Sequence, residues 1–154
     1  MSVEILSISR KPTNWVKEAI NDYLDRFPKA KVPKMTYITP LAGRLSVRER
    51  LEREAKSILS KIGERDVVIV LDIGGCSLTS DDLVKRLSVF TARETKIILI
   101  IGGPEGLDIS VKKRAIESWS LSGLVFPHKI IQILILEQLY RSYSICIGHP
   151  YHRG

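Results

Sequence analysis

Three stretches of this 154-residue sequence combine residue types that can hold a small molecule. The first is Gly102-Gly103-Pro104-Glu105-Gly106, set directly behind the apolar run 97–101. Its glycines admit positive φ and leave room for a ligand to approach the main chain, while Pro104 removes a donor and stiffens the turn. The second is Leu71-Asp72-Ile73-Gly74-Gly75, which ends another apolar run. The third is the segment 121–128, from Leu121 to Pro127-His128. All three are rich in backbone amides, glycine and apolar side chains and poor in charge. That composition suits a neutral or zwitterionic ligand with a flat aromatic part better than a triphosphate. A plain strand-to-helix turn with no guest fits the local pattern of the glycine stretch equally well.

Several familiar chemistries are missing. The glycine turn is not followed by Lys-Ser/Thr, so it is no nucleoside-triphosphate loop, and its spacing departs from G-x-G-x-x-G. No G-x-S-x-G elbow occurs. His128, His149 and His152 lack the spacing and partners of a common metal site, and no metal is expected. Cys76 and Cys146 lie far apart, which argues against both a disulfide framework and a zinc site. The N-terminus shows no secretory signal, and the most apolar run, 130–136, is broken by Gln132 and followed by Glu137 and Arg141. A cytoplasmic location is the default, without a membrane partner.

The elements that must position these stretches follow from periodicity. Strands are expected at 3–9, 34–39, 66–72, 97–101 and 119–126. Helices are expected from Thr13 or Asn14 to about Phe27, from Ser46 to about Ile62, from Thr79 or Ser80 through Phe90, over 110–118 and over 129–144. In the first helix Trp15, Val16, Ala19, Ile20, Tyr23, Leu24 and Phe27 recur at helical spacing, with Trp15 expected in the core. Ser46 and Glu49 form an S-x-x-E capping pattern. Strand 34–39, bracketed by Pro33 and Pro40, reads as an edge strand. The order βαβαβαβαβα implies one α/β domain, a mostly parallel sheet flanked by helices. In such a sheet the three ligand-friendly stretches fall along one edge, where open α/β sheets bind ligands.

Net charge is +7 and unevenly spread. Residues 1–65 hold 14 Lys+Arg against 8 Asp+Glu, and residues 66–154 hold 10 against 9. A basic first half is consistent with a polyanion such as RNA, or with ordinary solvated helix surface. Within it the arginine-rich face of the second helix (Arg48, Arg50, Arg53, Lys56, Lys61) is the first choice for phosphate contacts.

Taken together, the motifs resemble a known family. Ile-Gly-Gly-Pro-Glu-Gly-Leu at 101–107, Ser-Trp-Ser-Leu-Ser at 118–122, Phe-Pro-His at 126–128, Glu-Gln-Leu-Tyr-Arg at 137–141 and the terminal His-Pro-Tyr-His-Arg at 149–153 are similar to the ribosomal large-subunit pseudouridine methyltransferase H family, part of the SPOUT superfamily. Asn14-Trp15-Val16 and the segment 23–28 fit it too, so the resemblance spans essentially the whole chain. It implies an S-adenosylmethionine-dependent enzyme that methylates N3 of a pseudouridine in 23S rRNA of the assembled ribosome, with no metal and no DNA partner. It further implies a C-terminal deep trefoil knot, which no periodicity would reveal, and a homodimer whose active site is completed by the partner's tail. By motif, cofactor contacts fall on Leu71, Gly102, Leu121, Ser122, Gly123, Leu124, Val125 and Phe126, with Gly103 beside them. The tail residues Tyr151, His152 and Arg153 carry the catalytic expectation: Arg153 and His152 hold phosphate and base, and one of them favours the N3 anion. A frayed polar C-terminus is the plainer reading of the same residues. His128 reads more simply as structural, and Glu137 with Arg141 as an i,i+4 pair or a contact at the dimer interface. Two departures stand out: Cys76 where relatives often carry Lys, and Ser142 where they commonly carry Ala. A tRNA-directed relative or a non-catalytic ribosome-associated RNA-binding protein remain the alternatives.

Overall fold

The structure, a computed structural model, describes residues 2–93 and 95–153. Its centre is β4 (Lys96–Ile101), whose residues after Lys96 are all buried. β4 lies between β1 (Ser2–Ile8) and β3 (Val67–Ser77), with β2 (Lys34–Ile38) and β5 (Glu117–Ser120) at the edges, in the order β2-β1-β4-β3-β5. Every pairing is parallel. A parallel strand covered on both faces has no solvent side, which is why its sequence is a continuous apolar run and does not alternate.

Successive β4 residues feed two different cores. Ile97, Leu99 and Ile101 pack with Val16 and Ile20 of α1 (Asn14–Leu24), Leu83, Leu87 and Phe90 of α3 (Ser80–Thr91), and Ile135, Leu136 and Leu139 of α5 (His128–Cys146). Ile98 and Ile100 pack with Ala55 and Ile58 of α2 (Val47–Leu59) and Val111 of α4 (Ile109–Arg114). Each such side chain, fully removed from water, contributes about 1.5–3 kcal/mol. The helix sides follow the direction of travel: α1 and α3 link strands moving one way across the sheet, α2 and α4 the other. That is what crossovers of a single hand require.

The expected strands β1, β2 and β4 and the edge position of β2 hold, and the caps fall where hydroxyls and carboxylates precede apolar runs. Ser46 accepts from the Glu49 amide, Asp108 from the Ser110 amide, and Thr79 with Asp82 forms a reciprocal capping box. Four expectations need correction. Helix α1 stops at Leu24, and Trp15 is 59% exposed, because the buried stripe runs through Val16, Ile20 and Phe27 and leaves Trp15 to one side of it. The expected helix over 110–118 ends at Arg114, and β5 begins at Glu117. That strand ends at Ser120, so residues 121–126 are loop. Beyond Ser77 the neighbouring β3 offers no partner, and Ser120 and Ser122 bond locally (Ser120 Oγ to the Ser122 carbonyl and the Leu124 amide to Ser122 Oγ, both 2.9 Å).

Candidate active site

Three wall loops leave the carboxyl ends of adjacent strands β4, β3 and β5 and enclose a cavity of about 480 Å3. The β4 wall is the glycine turn. The Gly106 amide donates to the Gly103 carbonyl at 3.0 Å, closing a tight turn over Pro104 and Glu105, and Gly106 has φ +81°. At Gly102 a Cβ would sit 3.0 Å from Leu107 Cγ and 3.2 Å from the Gly106 carbonyl, tighter than ordinary contact, so a side chain here makes Leu107 and the turn give way by a few tenths of an ångström. The Glu105 carboxylate is held outward by Arg50 of α2. Arg50, on the basic face of the second helix, is thereby paired.

The β3 wall is a detour the sequence did not reveal. Leu71 pairs with Trp119 of β5, the chain bulges out through Asp72, Ile73, Gly74 and Gly75, and Cys76 then pairs with the same Trp119. A Cβ on Gly75 would lie 2.7 Å from the Ser118 carbonyl carbon and 2.8 Å from that of Trp119, so this return needs glycine for close backbone approach. Asp72, paired with Lys112 Nζ at 3.4 Å, supplies most of the charge of an otherwise apolar wall. Trp119 is fully buried, and its Nε1 donates to Glu117 at 2.6 Å, which in turn accepts from Arg86 at 2.7 Å. Cys76 and Cys146 are separate exposed thiols.

Loop 121–126 and the start of α5 complete the enclosure. Leu71, Gly102, Gly103, Leu121, Ser122, Leu124, Val125 and Phe126 all line the cavity, together with His128 and Ile131. Gly123 is in the same loop but exposed and outside the wall. Leu124 and Val125 are 70% and 83% exposed, and with Ile73 they make an apolar lip. His128 is half-buried; burial, and then Lys129, push its imidazole below the usual value, towards the neutral form. Sequence reasoning placed Asp72 in the second stretch without giving it a role, and missed Lys112, whose only signal was its position in the helix after the glycine turn. Among the described residues, no three or more of His, Cys, Asp and Glu converge.

A family description, "Predicted SPOUT methyltransferase", matches residues 1–152. The chain belongs to that family. Relatives named ribosomal RNA large subunit methyltransferase H align with it end to end. That of Dichelobacter nodosus is 38% identical over 157 residues, covering all of both chains. Those of Francisella philomiragia and Francisella tularensis subsp. novicida are 36% and 34% identical over 156 residues, 99% of this chain and all of each relative.

In this SPOUT methyltransferase the C-terminal residues form an ordered 3-10 turn, Pro150–Arg153. His152 Nδ1 lies 2.7 Å from the His149 carbonyl. The Tyr151 hydroxyl donates to Glu137 at 3.2 Å, and the same Glu137 oxygen accepts from Arg141 at 2.6 and 3.0 Å. Tyr151 packs edge-on against Tyr140, with the Arg26 and Arg141 guanidiniums over its ring. Burial, then hydrogen bonding to Tyr23 and the charge of Glu137, push the Tyr151 phenol up to about 12. The structure does not bring Tyr151, His152 and Arg153 to the cavity of their own chain. Glu137 lies six residues beyond the cavity-lining Ile131, about 9 Å further along α5. The Ser142 departure is accommodated, since its hydroxyl donates to the Gln138 carbonyl at 2.8 Å. No helix among the described residues is long and apolar enough to cross a membrane.

Proposed function

We propose that this chain, as a single domain, transfers a methyl group from S-adenosylmethionine to N3 of a pseudouridine in 23S rRNA of the assembled bacterial ribosome. The observation that carries this reading is the main-chain cavity at the ends of β4, β3 and β5, in a chain that aligns over its full length with proteins named as large-subunit rRNA methyltransferases.

The residues fit the cofactor. At about 480 Å3 the cavity has the size of a small-molecule pocket, and its glycine turn and loop 121–126 offer backbone groups in an apolar surround. Leu71, Gly102, Gly103, Leu121, Ser122, Leu124, Val125 and Phe126 would hold it, with Gly123 shaping the loop. When bound, S-adenosylmethionine supplies an activated methyl group that needs no metal. Alignment of the reactants is the largest service such walls can perform, since fixed orientation can remove several kcal/mol of barrier. The target nitrogen must also lose its proton. Tyr151 keeps its own proton and anchors the tail, which leaves Arg153 and His152 to hold phosphate and base and to favour the N3 anion.

We read the working enzyme as a cytoplasmic homodimer. The tail lies away from its own cavity while the cavity lip is apolar and exposed, an arrangement that suits completion by the tail of a second copy. The C-terminal part is read as a deep trefoil knot. Consistent with it, the chain passes from β5 at one edge back beneath β1, where Gln132 Nε2 donates to Ser7 and Ser9 at 2.9 Å. Calorimetry with S-adenosylhomocysteine tests the cavity: micromolar binding is expected, abolished by Gly102→Trp. Absence of binding by the native chain would favour a non-enzymatic ribosome-associated protein.

A further inference from the structure

The cavity occupies the carboxyl edge of β4, β3 and β5, but the same edge continues across β1 and β2, where two loops carry a different kind of surface. After β1 come Arg10 and Lys11; after β2 comes Arg44; all are exposed. Residues 9–13 and 39–46 contain no Asp or Glu. Among the described residues Arg10, Lys11 and Arg44 make no ion pair, unlike Arg48 and Arg50 of α2, which are held by Glu52 and Glu105. Two carboxylates near this edge are engaged elsewhere, Glu105 by Arg50 and Glu54, buried in α2, by a backbone hydrogen bond from Leu41; Glu49, in the first turn of α2, is the exposed acid nearest the Arg44 loop in sequence. The first turn of α1, which starts in the loop after β1, has no acidic residue.

The aromatic that the sequence assigned to the core lies on this surface. Trp15 is the second residue of α1, five residues after Arg10, and 59% exposed. Continuity with the cavity is direct: a Cβ on Gly103 would touch Ile8 at 3.4 Å, and Arg10 follows Ile8 by two residues. With adjacent strands about 4.8 Å apart, the ends of β2 and β3 are separated by three spacings, about 14 Å. Unpaired cations beside an exposed indole are the two components of a surface for unpaired nucleic acid: charge follows the backbone and the aromatic face stacks a base.

We propose that Arg10, Lys11, Arg44 and Trp15 form the track along which the single-stranded RNA flanking the target nucleotide reaches the cavity. The cations contact phosphates, and Trp15 stacks on a base. The track rests on the rRNA reading above, and α2, the first choice from sequence, is displaced from this role because its arginines near the edge are already paired.

The test uses ribosomes from cells lacking the protein, with binding and methylation measured separately on full-length variants. The triple variant R10A/K11A/R44A is expected to weaken ribosome binding roughly tenfold or more and to flatten the log Kd against log salt slope by about 2, as three lost phosphate contacts on a single strand require. W15A is expected to weaken binding severalfold, and W15F to restore most of it. A control triple at the amino edge, K29A/R65A/R93A, is expected to bind and methylate like the native chain. Retained S-adenosylhomocysteine binding reports an intact fold. The track is overturned if the first triple binds like the native chain or loses no more than the control. It is equally overturned if W15F binds as poorly as W15A, or if W15A changes the oligomeric mass and leaves ribosome binding intact. Failure of the native chain to methylate while binding still depends on the track would overturn the reaction and leave the surface standing.

Discussion

Glu105 and Tyr151 are chemically conspicuous residues whose partners decide their roles. Glu105 is turned away from the cavity by Arg50, so the glycine turn presents main chain, not charge, to a ligand. Tyr151 is a neutral donor at physiological pH, as any phenol is, and burial, then Tyr23 and Glu137, push it further up to about 12. Glu4 shows the opposite case at the far end of the sheet. It is 3% exposed and accepts from Thr36 Oγ1 and Lys96 Nζ at 2.5 Å. Burial alone would raise its pKa; the bonds from Lys96 and Thr36 and the charges of Lys96 and Lys34 outweigh it, and the net direction is downward. A carboxyl lowered in the folded state stabilises above its unfolded pKa, and that stability is lost as pH falls through the folded value. Glu4→Gln is therefore expected to cost about 1–2 kcal/mol at pH 7. In urea unfolding the difference should shrink as pH falls through the lowered pKa of folded Glu4, where the carboxyl becomes neutral like the amide.

At the scale of elements, the detour of β3 is what gives the cavity its second wall. Because Gly75 meets the Ser118 and Trp119 backbone rather than a flexible side chain, Gly75→Ala forces a main-chain shift. It is expected to cost about 1–3 kcal/mol and to weaken S-adenosylhomocysteine binding, whereas Gly74→Ala, with only Asp72 Oδ2 at 4.0 Å, should be mild. Thermal unfolding and calorimetry on the two variants check this. The sequence made β4 and the first half of β3 legible because burial on both faces writes itself as an unbroken apolar run, and β1 legible from Val3, Ile5, Leu6 and Ile8 although Glu4 and Ser7 interrupt them. It also placed three wall loops on one edge, since parallel strands leave no other arrangement. It was misleading at 121–126, where apolar residues serve a lip and not a strand, and at Trp15, where helical spacing alone could not separate the buried stripe from its neighbour. The return of β3 to Trp119 was invisible because backbone-to-backbone closeness leaves only a glycine as its mark.

For the whole molecule, the decisive geometry is a cavity and a tail that do not meet within one chain. Ending the chain after Pro150 removes Tyr151, His152 and Arg153 but none of the cavity wall. Such a chain is expected to keep S-adenosylhomocysteine binding and lose methylation by roughly a hundredfold or more. Co-expressed with a Gly102→Trp chain, which keeps its tail but not its cavity, it should recover part of the activity, because one mixed pair holds an intact cavity beside an intact tail. Full activity of the truncated chain alone would remove the tail from the site. The central claim is tested most directly by mass spectrometry of 23S rRNA from cells lacking the protein. One pseudouridine should be lighter by a single methyl group, and restored when the native chain is returned; an unchanged modification pattern would contradict it.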